Sequence, residues 1–196
     1  MKTFTCLFFA VFATVLLYNC TQTPASAADT TATAPTPAEI VKRGEYLVTT
    51  MGCNDCHTPK VMTDLGPALD TKRLMAGHPA EVPLAPIADK ESVRTGKWVM
   101  MHPMVTAYAG PWGTSYAANL TPDDTGIGAW NFEQFKKALT QGKSKGLDGG
   151  RMLLPPMPWQ NFVKMTDEDL KAMFAYLQSL PPVKNLVPAP APPTDI

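Results

Sequence analysis

Apolar and polar positions are unevenly spread along this 196-residue chain, and their spacing marks out its parts. After Lys2 an apolar run, interrupted only by Thr14, extends from Leu7 to Leu17. Such a run is too short to cross a bilayer and has the length of the hydrophobic region of an export signal. Residues 1–19 are therefore assigned to targeting and set aside from the fold. From Thr21 to Pro37 the chain is almost wholly Thr, Ala, Pro, Ser and Asp. Too little apolar surface is present there to offset the entropy of ordering, so 20–37 is predicted to be a flexible tether.

Helical spacing follows in three places. Over Ala38–Met51, Val41, Gly44, Leu47, Val48 and Met51 fall on one face, with Pro37 at a first-turn position that tolerates it. Over Asn131–Gln141, Phe132, Phe135 and Leu139 recur at three and four residues, and Gly142 supplies a stop. From Thr166 to Ser179, a capping threonine and three acidic residues precede a stripe of Leu170, Met173, Phe174 and Leu177, ended by Pro181 and Pro182. No stretch alternates convincingly as a strand would. The expectation is an all-α domain over 38–185 with long loops, followed by a proline-rich tail over 186–196.

Formal net charge is zero, which lends no support to nucleic-acid binding and marks out no strongly charged docking face. The cysteines are more informative. Cys6 leaves with the signal, and Cys20 stands directly after the apolar run in Leu17-Tyr18-Asn19-Cys20, which resembles a lipobox and favours lipidation of Cys20. Ala25-Ser26-Ala27 is the competing cleavage site.

The remaining two lie in Cys53-Asn54-Asp55-Cys56-His57, and Cys-x-x-Cys-His is the attachment sequence of a c-type haem. Two thiols on one helical turn can each bond a haem vinyl group, and the histidine that follows becomes the iron's proximal ligand. A zinc site would want a second cysteine pair, and a dithiol oxidoreductase a strand before the motif. The sequence has neither. The motif occurs once, so one covalent haem c is expected, held by Cys53, Cys56 and His57.

Together the motif and the helices resemble a class I cytochrome c, in which the first and last helices cross beside the haem. That resemblance implies a close approach at Gly44, with Leu47 and Val48 meeting Leu170, Phe174 and Leu177. It runs from about Glu39 to Asn185, carried most specifically by Asn119-Leu120-Thr121-Pro122-Asp123, Thr125-Gly126-Ile127-Gly128 and Pro155-Pro156-Met157-Pro158-Trp159. The last helix, through Leu180-Pro181-Pro182-Val183, completes it. This block is similar to cytochromes c that act with bacterial membrane-associated dehydrogenases. The departure is a long insertion between the haem motif and the later helices, Thr58 to Tyr116, rich in Pro, Gly and Met.

What lies opposite His57 decides between a carrier and a catalyst or sensor. Met157 is the candidate sixth ligand. Its flanking prolines push it out of helical conformation onto a stiff extended segment, and it stands where the resemblance places the axial methionine; Met104 and Met100 are the alternatives. Gly66-Pro67-Ala68-Leu69 resembles the stretch whose carbonyl receives the proximal histidine's ring N–H, which makes Pro67 O the candidate orienting group. His78 and His102 read as solvated loop residues. Trp98, Trp112, Tyr116, Trp130 and Trp159 read as core or haem-pocket packing.

The resulting expectation is a monohaem electron carrier in the periplasm or at the cell envelope, lipid-anchored to a membrane. Its partners would be a dehydrogenase donor and an oxidase or carrier acceptor. The alternative is a haem sensor or peroxidase-like enzyme with an open or displaceable sixth position.

Overall fold

The computed structural model describes residues 34–196. The signal, Cys20 and the Ala25–Ala27 site lie outside the described residues. The first helix, α1 (Pro37–Thr50), opens with a reciprocal cap: Glu39 N–H donates to the Thr36 hydroxyl oxygen at 3.3 Å, and Thr36 N–H donates to the Glu39 carboxylate at 2.7 Å. Gly52, at φ +72°, then turns the chain into α2 (Cys53–His57) without a linker. A short α3 (Lys90–Arg94) is capped by Asp89. The next helix, α4 (Phe132–Gln141), is capped by Asn131 and stopped by Gly142 at φ +66°, and α5 (Asp167–Ser179) is capped by Thr166. Three of these match the spacing in the sequence; α3 has no apolar stripe to betray it.

The all-α expectation is corrected by two small antiparallel sheets. Strands β1 (Lys60–Thr63) and β2 (Gly66–Leu69) form a hairpin, and β3 (Met100–Met101), β4 (Ala107–Gly110) and β5 (Gly113–Tyr116) form a three-stranded sheet in that order. All five strands lie within 58–116, the stretch expected to be loop. They are too short to display a period, and β4 and β5, each three small residues and one tyrosine, are largely buried along their whole length, which leaves no alternation to read. The proline-rich tail is also part of the body: Ala191 and Thr114 exchange backbone hydrogen bonds of 2.8 and 3.2 Å, so the tail covers the free edge of β5.

The core forms where α1 crosses α5. A Cβ on Gly44 would lie 2.6 Å from the Ala172 carbonyl carbon and 2.7 Å from Tyr176 Cβ, so only glycine permits this approach. Around the crossing, Leu47, Val48, Leu170, Met173 and Leu177 bury one another together with Met75, Ile127 and Phe135, and Phe174 packs against them. The Phe135 and Phe174 rings lie 5.2 Å apart, joining α4 to α5. Arg43 Nε donates to the Asp169 carboxylate at 2.7 Å, a link from α1 to the start of α5.

Candidate functional site

One helical turn, α2, presents Cys53, Cys56 and His57, all half-buried, and the two thiols are not bonded to each other. Burial pushes the Cys53 thiol up to about 11, so it is protonated at neutral pH. His57 is held from both ends. Its carbonyl accepts from Gly77 N–H at 2.8 Å, and its ring Nδ1 lies 2.8 Å from Ala118 O. A carbonyl only accepts, so Nδ1 carries the proton and Nε2 keeps its lone pair. Burial also lowers the His57 pKa, opposed by the Ala118 carbonyl, which favours the neutral, ligating ring. Two free thiols and a tautomer-locked imidazole are the donor set that a haem c requires; nothing in this geometry conflicts with that group.

The orienting carbonyl is therefore Ala118 O, not Pro67 O. Pro67 pairs with Met62 in the β1–β2 hairpin and faces solvent, because that hairpin turns away from the ring it was expected to support. Ala118 reaches His57 through a close backbone approach at Gly77, whose φ is +76°. A Cβ there would lie 2.6 Å from the Ala118 carbonyl carbon. His78 N–H donates to Ala117 O at 3.0 Å and Leu120 N–H to Met75 O at 2.8 Å, so segments 75–78 and 117–120 are stitched side by side.

Two buried asparagines secure this stitch. Asn185 Nδ2 donates to Ala76 O at 2.6 Å and His78 O at 2.9 Å, while its Oδ1 accepts from Ala80 N–H at 2.9 Å. Asn119 Nδ2 donates to Val183 O at 2.8 Å, and its Oδ1 accepts from Thr121 N–H and the Thr121 hydroxyl. The Asn-Leu-Thr-Pro-Asp run thus ties the last helix's exit to the backbone supporting His57. Every buried side-chain nitrogen and oxygen among the described residues has a partner.

His78, expected in solvent, is fully buried. Its Nε2–H donates to Val82 O at 3.1 Å and its Nδ1 accepts from the Thr106 hydroxyl at 2.8 Å, which leaves neither nitrogen for a metal. His102 is half-buried, and its Nδ1 accepts from Met104 N–H at 3.2 Å.

Met157 is half-buried and directly follows a turn: its N–H donates to Leu154 O at 3.3 Å around Pro155 and Pro156. Two contacts fix that turn. The Ser115 hydroxyl donates to Pro155 O at 2.6 Å and itself accepts from Trp112 Nε1 at 3.2 Å. On the other side the Trp159 ring lies against Gly142, where a side chain would collide with it. Met104 is half-buried, and Met100 lies exposed on β3. Trp98 is 72% exposed, so it is not core packing.

Sequence reasoning missed Tyr108 and Lys60. The Tyr108 hydroxyl lies 3.1 Å from Cys56 Sγ and donates to Val105 O at 3.0 Å, which brings β4 of the insertion onto the attachment helix. Lys60 reaches back to the end of that helix. A basic residue just beyond a helix end was the readable signal for Lys60; nothing in the sequence marked Tyr108 or Ala118.

Comparison with known proteins decides the kinship. The fructose dehydrogenase cytochrome subunit of Gluconobacter japonicus is 31% identical over 169 residues, 84% of this chain and 26% of that protein. The gluconate 2-dehydrogenase cytochrome c subunit of Pantoea cypripedii is 33% identical over 138 residues, 70% of this chain and 22% of the relative. A shorter match, 40% over 92 residues, joins it to the cytochrome c subunit of the quinone-dependent alcohol dehydrogenase of Gluconacetobacter polyoxogenes, covering 42% of this chain and 19% of that protein. These homologues are cytochrome c subunits of dehydrogenases. The chain spans about a quarter or less of their length. No protein-family model matches.

Proposed function

We propose that this chain is a one-electron carrier holding a single covalent haem c, with Cys53 and Cys56 forming the thioether links and His57 and Met157 as axial ligands. The observation that carries the proposal is the locked tautomer of His57 on the same turn as two free cysteines. A haem held there supplies exchange of one electron between ferric and ferrous iron. The protein does the rest. Ala118 O keeps the imidazole pointed and electron-rich. The prolines and the Ser115 contact hold the Met157 turn, so the thioether is presented with little further ordering cost. Tyr108 covers the sulfur of Cys56.

Kinship with dehydrogenase cytochrome subunits supports a dehydrogenase as the donor; the acceptor in this reading is an oxidase or a further carrier. The apolar run at the N-terminus and Cys20 favour a lipid-anchored place at the cell envelope or in the periplasm. Among the described residues no helix is long and apolar enough to cross a membrane.

Redox titration of the purified holoprotein, with visible spectra and denatured intact mass, tests the proposal. The expected result is one haem per chain that resists acid acetone, a reversible one-electron midpoint, and a ferrous form that does not take up carbon monoxide readily. Pigment lost to acid acetone sinks the covalent attachment. Ready uptake of carbon monoxide moves the function to a sensor or peroxidase-like enzyme.

A further inference from the structure

Three residues past His57, the Lys60 ammonium is anchored in carbonyls. Nζ donates to Thr58 O at 2.6 Å, Asp55 O at 2.8 Å and Asn54 O at 3.4 Å. Three acceptors engage three N–H donors, which only the protonated amine possesses. Asn54 and Asp55 belong to α2 and Thr58 caps it, so the cation sits at the helix end where carbonyls point outward.

Arg43, Arg73, Arg94, Lys136 and Lys137 are in ion pairs, whereas Lys60, like most of the other lysines, is in none among the described residues; what sets it apart is that backbone carbonyls hold it instead. What the arrangement provides is a positive charge fixed by backbone carbonyls at the end of the turn that carries Cys53, Cys56 and His57, with the Asp55 carboxylate near enough to act on it but not in contact.

We propose that Lys60 is a positioning residue for electron transfer, whose fixed charge on the attachment helix shifts the bound haem toward its reduced state. The inference rests on the haem proposal above. Gaining an electron lowers the positive charge at the iron, so a nearby cation stabilises the reduced form more than the oxidised form. Because Lys60 is partly buried, salt screens this effect less completely than it would for a free surface lysine.

The test compares midpoints of holoprotein at low and high ionic strength for wild type, Lys60→Gln and Lys60→Arg. Lys60→Gln is expected to titrate at a lower potential than wild type, by a margin that narrows with added salt, and Lys60→Arg to lie nearer wild type. The carbon monoxide response stays the same in all three. Should Lys60→Gln lose its fold, Lys60→Cys alkylated with 2-bromoethylamine restores the ammonium, and the same protein alkylated with iodoacetamide does not; the aminoethylated form is expected to titrate higher. Coincident midpoints for charged and neutral forms overturn the inference, as does Lys60→Arg falling as far as Lys60→Gln. A wild type without covalent haem overturns the functional proposal instead, and intact mass shows that before any titration.

Discussion

At the scale of single residues, the chemistry rests on few atoms. A thioether is a neutral, soft ligand that favours ferrous iron. Replacing Met157 with Ala is expected to abolish the weak far-red sulfur-to-iron band and open the iron to carbon monoxide. It should also lower the midpoint by about 100–200 mV, which is about 2–5 kcal/mol for one electron. Met104→Ala should do none of these; if it removes the band instead, the ligand is Met104. His78 gives a pH signature. Burial is the main cause lowering its pKa, so the native state resists protonating it while the unfolded chain titrates at about 6.5. The unfolded state then binds more protons below that pH, and stability falls as pH falls toward the depressed native value. Urea midpoints measured at pH 7.5 and 5.5 should separate more for wild type than for His78→Gln. Equal separations would show that His78 contributes nothing to acid sensitivity.

At the scale of elements, legibility followed period and length. The helices α1, α4 and α5 were readable because each runs ten residues or more with an apolar stripe between recognisable caps. The residues of α2 were readable through their chemistry. The five strands were not, since a segment of two to four residues has no period to read and owes its conformation to its neighbours. The same limit explains Pro67: a short motif suggested a carbonyl, while the contact that exists comes from a residue 61 positions downstream of His57. Gly44 allows a quantitative test of the α1–α5 crossing. On an exposed helix Gly→Ala would stabilise by about 1 kcal/mol. Here the added methyl meets the Ala172 carbonyl and Tyr176, an overpacking that costs about 1–3 kcal/mol or more. Gly44→Ala is therefore expected to lower the urea midpoint, and a rise would mean that the helices do not cross there.

At the scale of the whole molecule, residues 35–196 form one compact unit that includes the tail. Two backbone hydrogen bonds join Ala191 to Thr114, each worth about 0.5–1.5 kcal/mol. Ending the chain at Val187 should thus lower the melting temperature by several degrees and expose the edge of β5 to pairing with other chains. The haem spectrum should be unchanged. Calorimetry and light scattering of the truncated protein check both, and an unaltered melting temperature would show the tail to be dispensable.

The stitch between His78 and Ala117 has an evolutionary consequence. Residues 79–116 leave and return at one point of the backbone, beside the residues that steady the histidine. Doubling a closed loop's length costs only about 0.6 kcal/mol. Descendants of this chain are thus free to lengthen or trim the parts of that excursion that carry neither Tyr108 nor Ser115, and so to change the surface offered to a partner, while the backbone support of His57 is inherited intact.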